Sequence, residues 1–368
     1  MRKRLAGMTL GVANLGAAVA LLLSAALVVA GPGFSASDHQ SAFVTFDVPG
    51  AGVGGTQPVA ISGTGVVTGY YFDPRDEAHG FVRAADSTLT KFDPPGSTYT
   101  YAEALNSAGL ITGFYRDASY LSFHGYIRTA DGSFALFDPP GSENTYAVAI
   151  NSDGMITGYY MDVNGDTYGF LRGRDGTITS FAAPGAGSGI GTLAQSVNAS
   201  GSIAGYYYDS SGVGHGFIRA PDGTFTTFDA PGAGAKDGQG TIVNCIATTG
   251  AVTGEYLDSK NLFHGFVRAS DGTFSTFEPA GAGTGVDQGT HSNAITAAGA
   301  AAGFYVDSNT TYHGFVRFPD GQIVTFDAPG AGRMTLQGTL PTGIDPAGAV
   351  TGTYADAASV FHGFVRLP

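Results

Sequence analysis

The segment His215-Gly-Phe-Ile-Arg-Ala-Pro-Asp-Gly-Thr-Phe-Thr-Thr-Phe-Asp229 recurs in near copies along the chain, and that recurrence restricts the fold more than any other feature. Its His-Gly-aromatic core begins at His79, His124, Tyr168 (Tyr in place of His), His215, His264, His313 and His362, at spacings of 45, 44, 47, 49, 49 and 49 residues. A period of roughly 40–50 residues made of short strands is the signature of a β-propeller, in which each repeat is one four-stranded blade. The predicted fold is therefore all-β, a seven-bladed β-propeller.

The termini add a second constraint. Phe43-Val-Thr-Phe-Asp47 matches the end of the repeat without its beginning, and His362-Gly-Phe-Val-Arg366 matches the beginning without the end. In a ring, the N-terminal strand can complete the last blade and remove two open sheet edges. A linear array would gain nothing from such complementary ends.

Each repeat reads as four strands. The first runs into a turn such as Asn151-Ser-Asp-Gly154, with a glycine suited to positive φ. The second carries Gly-x-Tyr-x-Asp in all seven copies, for example Gly113/Tyr115/Asp117 and Gly205/Tyr207/Asp209. The third is His-Gly-Phe-Val-Arg, and an Asp-Gly turn (Asp222-Gly223, Asp271-Gly272) leads into the fourth. A threonine precedes each first strand, at Thr56, Thr100, Thr145, Thr192, Thr241, Thr290 and Thr339, and is expected to ring one mouth of a central channel.

Upstream of the repeats, Arg2-Lys3-Arg4, the apolar run from Ala17 to Ala30 and the small residues Val28-Val29-Ala30 have the layout of a secretory signal peptide. The uncharged stretch from Leu5 to Ala30 is also long enough for an N-terminal anchor. The expected organisation is signal or anchor over 1–30, linker over 31–42 and propeller over 43–368, with the repeats secreted, extracellular or periplasmic. Without Arg2, Lys3 and Arg4, 14 basic and 30 acidic residues give a formal net charge of −16, which disfavours nucleic acid and anionic membrane as partners. The single Cys245 cannot close an intramolecular disulfide and reads as a small buried residue. A monomer is expected.

The His-Gly-Phe triad, the Gly-x-Tyr-x-Asp strand and the Phe-Asp-x-Pro-Gly junction resemble the bacterial extracellular HAF-type repeat family, named for a His-Ala-Phe triad. The resemblance spans about Phe43 to Pro368 and departs in having Gly at the middle of the triad. It implies a secreted or surface-attached repeat protein and brings no catalytic residue.

Residues shared by all copies are expected to be structural. The repeated Asp and His, as in Asp209 and His215, are expected to cap hairpins, and the repeated arginines (Arg83, Arg128, Arg172, Arg219, Arg268, Arg317, Arg366) to pair with the acidic ends of fourth strands such as Asp93 and Asp229. Binding should then fall where copies differ, at the start of the first strands. Tyr101, Glu103, Tyr146, Gln195, Asn244, His291 and Asn293 are the candidate ligand-binding residues. Aromatic faces beside amides and carboxylates suit a carbohydrate, so the expected function is a binding or scaffold module for a glycan or extracellular protein. The alternative is a carbohydrate-active enzyme, a polysaccharide lyase or glycoside hydrolase, with Glu103 and His291 as acid and base at the channel mouth. No cofactor is implied, apart from one candidate Ca²⁺ loop whose oxygens alternate at Asp162, Asn164 and Asp166.

Overall fold

The computed structural model describes residues 42–119 and 122–368. The expected signal or anchor over 1–30, and the linker except residue 42, lie outside the described residues. Every regular element among the described residues is a β-strand.

The strands fall into four-stranded antiparallel units that follow the repeat. The first unit comprises Thr56–Ile61, Val67–Phe72, Ala78–Arg83 and Leu89–Phe92, hydrogen-bonded in that order. The same order recurs in the units that follow. The final one, Gly338–Ile344, Val350–Ala355 and Phe361–Arg366, has three strands of its own, and Phe43–Phe46 pairs antiparallel with the third, Phe43 opposite Arg366 and Phe46 opposite Gly363. The first strand of each unit lies against those of its neighbours, and Thr56–Ile61 lies against all three strands of the last unit. This is a propeller-type arrangement, and the first and last described strands meet in one sheet.

Alternation along each strand supplies the core. The aromatic at the centre of each third strand (Phe81, Tyr126, Phe170, Phe217, Phe266, Phe315, Phe364) is fully buried between units, as a sheet covered on both faces requires. Two glycine positions follow from the same crowding. A Cβ on Gly113 would stand 1.9 Å from the carbonyl oxygen of Tyr101, and one on Gly125 would stand 2.8 Å from the ring of Phe137. The first explains the invariant Gly of the second strand. The second explains why Gly occupies the middle of the triad, since an aromatic ring from the fourth strand lies over it.

The seven threonines are completely buried. Thr56, Thr192, Thr241 and Thr339 each accept a backbone N–H at 2.9 Å, from Val48, Ala183, Ala230 and Ala328, and so tie the incoming connection to the strand it begins. Cys245 is buried on its first strand, 3.9 Å from Ser196 Oγ.

The arginines do not pair with the fourth-strand acids. Each guanidinium lies over the phenylalanine that ends the fourth strand of the preceding unit: Arg128 over Phe92 at 4.8 Å, Arg219 over Phe181 at 4.9 Å and Arg317 over Phe277 at 5.2 Å. The acids instead accept from histidine Nδ1, as in His79–Asp93 at 2.9 Å and His215–Asp229 at 2.8 Å. An arginine reaches between units, whereas the histidine is directly across the sheet from the acid.

Candidate functional site

The connections between units share one face with the hairpins joining second and third strands. Their backbones are bonded there: Gly238 N–H to Gly212 O at 2.9 Å, Asp287 N–H to Asn261 O at 2.8 Å and Leu336 N–H to Thr310 O at 2.8 Å. The first strands start on this face, which places the candidate residues toward it.

Every first strand carries a β-bulge at one repeat position, and the bulged residues are Val59, Glu103, Val148, Gln195, Asn244, Asn293 and Thr342. Four of the candidates are thus bulge residues, and a bulge re-aims its side chain. Tyr101, Tyr146 and His291 occupy the position two residues earlier.

Tyr101 and Tyr146 belong to one aromatic cluster. Tyr101 stacks on Phe114 (4.9 Å, 24°) and meets Tyr70 edge-on at 5.0 Å. Phe114 meets Tyr146 edge-on at 5.1 Å, and Tyr146 stacks on Tyr159 (5.0 Å, 26°). Phe123 is 5.4 Å from Tyr146, and the Arg116 guanidinium lies 5.8 Å over Phe123. Tyr101, Phe114, Phe123, Tyr146 and Tyr159 are all half-buried. Burial pushes the Tyr101 and Tyr146 phenols up to about 12, so both remain neutral donors at ordinary pH.

The other candidates are more deeply buried. Glu103 is 3% exposed, its carboxyl has no hydrogen bond among the described residues, and desolvation pushes its pKa up to about 8. Gln195 is 1% exposed, and neither end of its amide has a partner among the described residues. Asn244 and Asn293 reach forward to the next unit, donating to Ser292 O at 3.1 Å and to Pro341 O at 2.8 Å. His291 stacks on Phe304 (4.6 Å, 16°), and its carboxylate neighbour is Glu255 at 3.7 Å rather than Glu103. Glu255 also accepts from Asn244 Nδ2 at 2.7 Å.

Sequence reasoning passed over Phe114, Phe123, Arg116 and Glu255. Glu255 carried a signal: it fills the x of Gly-x-Tyr, where the siblings have Tyr70, Phe114, Tyr159, Tyr206, Phe304 and Thr353.

In the candidate Ca²⁺ loop, Asp162 Oδ1 accepts the backbone N–H groups of Asn164 (2.9 Å) and Asp166 (3.0 Å), and these bonds hold its carboxyl below the usual range. Asp166 Oδ1 accepts Gly189 N–H at 2.6 Å. The equivalent aspartates cap their own hairpins in the same way, as Asp209 does for Ser211 and Val213. Asp162 Oδ1 thus serves the turn shared by all copies, while Asp166 Oδ1 holds the incoming connection at Gly189.

No family model matches the sequence, and no curated protein matches it. Solved structures of similar shape include the BP39L lectin from Burkholderia pseudomallei (10% identity, TM-score 0.48, 82% of this chain and 95% of that one). A puromycin hydrolase gives 11% identity, TM-score 0.49, and 83% of this chain against 53% of that one. The Aleuria aurantia lectin in complex with Fucα1-6GlcNAc gives 11% identity, TM-score 0.42, and 74% of this chain against 94% of that one.

Proposed function

We propose that this chain is a secreted, seven-bladed β-propeller over 43–368, closed by its N-terminal strand, that binds a neutral glycan at the aromatic cluster of the second and third blades. Closure is supported by the pairing of Phe43–Phe46 with Phe361–Arg366 and by the packing of Thr56–Ile61 on the last unit. Secretion is supported by the signal-like N-terminal sequence. The resemblance to HAF-type repeats agrees with a role outside the cell.

The observation that carries the ligand class is the contiguous run Tyr101, Phe114, Tyr146 and Tyr159, half-buried on the face where connections and hairpins meet. Such rings offer flat surfaces to sugar C–H groups, while phenols and the Arg116 guanidinium supply hydrogen bonds to hydroxyls. The formal net charge, −13 for the whole chain and −16 (14 basic against 30 acidic residues) without Arg2, Lys3 and Arg4, repels polyuronates and sulfated polymers, which leaves neutral glycans.

A glycan array probed with the full-length chain tests the reading, followed by calorimetric titration of each hit. Neutral glycans should bind, and Tyr101→Ala and Tyr146→Ala should each weaken binding at least tenfold. An array without hits, or hits indifferent to both substitutions, would overturn it. New reducing ends or unsaturated uronate from a hit would point to the enzyme reading instead.

A further inference from the structure

We propose that Asp73, Glu77 and His79, on the hairpin joining second and third strands of the first unit, bind one divalent transition-metal ion of the Zn²⁺ class, with water completing its coordination. The repeat provides internal controls. In the other units with histidine at this position, His Nε2 approaches the hairpin aspartate: His215–Asp209 at 3.6 Å, His264–Asp258 at 3.4 Å, His313–Asp307 at 3.6 Å, His362–Asp356 at 3.5 Å and His124–Asp117 at 3.8 Å.

The first unit differs in two linked ways. Asp73 and His79 are not among the ion pairs of the described residues, and Glu77 contributes a third ligand, with one atom from each of the three residues within 4.8 Å of the others. The residue two before the histidine is Val213, Leu262, Thr311, Val360 or Ser122 in those siblings. In the third unit it is Asp166, but Tyr168 replaces the histidine there. Among the described residues, the first unit is the one whose hairpin itself sets two carboxylates beside the imidazole, in addition to the acid bonded to Nδ1.

The donor atoms are suitably presented. His79 Nδ1 is bonded to Asp93 Oδ2 at 2.9 Å, which fixes the ring with Nε2 directed away from Asp93. A carboxylate behind a histidine ligand in this way sets its tautomer and raises its basicity. No described residue is hydrogen-bonded to His79 Nε2 or to the Glu77 carboxylate. Asp73 uses Oδ1 for the turn, accepting from Arg75 N at 2.7 Å and Glu77 N at 3.0 Å, which leaves Oδ2. The ring of His79 also rests against Tyr71 at 5.2 Å. First-row ions bind O and N donors at about 2.0–2.2 Å, and three donors within 4.8 Å of one another on one hairpin can close on such an ion through small side-chain rotations. One imidazole with two carboxylates and open positions suits Zn²⁺ or a neighbouring divalent ion. The guanidinium of exposed Arg75 is the cation that competes at Asp73.

Calorimetric titration of the full-length chain with Zn²⁺ in chelator-free buffer should give one site. Glu77→Gln should weaken it at least tenfold and Asp93→Asn by about 10-fold or more, whereas His264→Gln should leave it unchanged. Because a folding defect could mimic lost binding, thermal midpoints are read with and without Zn²⁺: Glu77→Gln should match wild type in the metal-free state and lack its Zn²⁺-induced rise. Absence of binding at millimolar Zn²⁺, several equivalent sites, or unchanged affinity in Glu77→Gln would overturn the assignment.

Discussion

The Arg83 guanidinium lies 5.0 Å above the ring of Phe46, the same relationship that Arg317 has with Phe277 at 5.2 Å. Phe277 and Arg317 belong to consecutive repeats. Phe46 and Arg83 belong to different sheets, since Phe46 pairs with Gly363 of the last unit and Arg83 lies in the first. The seam is thus built with the same contact as an ordinary junction. Phe46 also packs edge-on against Phe81 at 6.1 Å.

Phe46→Ala should therefore cost about 2–3 kcal/mol, less than the roughly 3–5 kcal/mol for a fully buried phenylalanine, because the ring is only half-buried. Phe277→Ala, also half-buried, should cost a similar amount. Urea unfolding of both variants makes the comparison. A neutral Phe46→Ala beside a costly Phe277→Ala would show that the packing of the first unit on the last does not depend on the strand Phe43–Phe46.

A second junction runs through the turns at the other end of the first strands. Asn106 Nδ2 donates to Asn151 O at 3.1 Å, Asn151 Nδ2 to Asn198 O at 3.0 Å, and Asn198 Nδ2 to Ala247 O at 3.2 Å. Each amide oxygen meanwhile accepts backbone N–H groups of its own turn, as Asn151 does from Asp153 and Met155. Asn151→Ala removes these bonds at a fully buried position and should cost about 2–4 kcal/mol. Asn151→Asp keeps the accepting oxygen and, when protonated at low pH, offers a single O–H in place of the amide N–H that reaches Asn198 O, so it should lie between wild type and alanine there. Thermal unfolding near pH 4 would reveal the order, and an alanine variant as stable as wild type would dismiss the ladder.

Periodicity carried most of this architecture into view before any coordinates. The spacing of His79 to His362 gives the unit length, and the split repeat at Phe43 and Arg366 foretells the shared sheet. Pairing partners were less legible. His215 and Asp209 are six residues apart and suggest a pair, yet the shorter contact is with Asp229, opposite in the sheet, and only strand register exposes it. The bulge was hidden too: Glu103, Gln195, Asn244 and Asn293 look like variable rim residues, and a one-residue slip in register carries them into the interior. The aromatic cluster was half visible, because Phe114 and Phe123 become neighbours of Tyr101 and Tyr146 only when two repeats pack together.

His313 predicts a pH response at one rim hairpin. Its hydrogen bond to Asp327, 2.9 Å, raises the imidazole pKa above 6.5 against the opposing effect of burial, with the charges of Asp327 and Asp307 adding to the rise. A raised folded-state value means that the contribution is complete below the unfolded value and is lost as pH climbs through the folded one. Asp327→Asn should thus lower the thermal midpoint at pH 5.5 and have a smaller effect at pH 8.5. An equal loss at both values would mean that the pair contributes by geometry rather than charge.

Glu103 gives the stronger pH dependence, through a different cause. Its carboxyl is buried without a hydrogen bond among the described residues, and desolvation raises its value from 4.5 to about 8. In the unfolded chain it ionises near 4.5, whereas in the fold it holds its proton, so between these values the folded state binds more protons and stability falls as pH rises. The cost of the buried group is least below about pH 4.5 and grows until about pH 8. Glu103→Gln keeps the size and one donor but cannot ionise. Its thermal midpoint should approach wild type at pH 4.5 and exceed it by an increasing margin up to pH 8, after the His313 contribution common to both proteins is cancelled by the comparison. Parallel midpoint curves for the two proteins across this window would mean that Glu103 is ionised in the fold and has a counter-charge or solvent within reach.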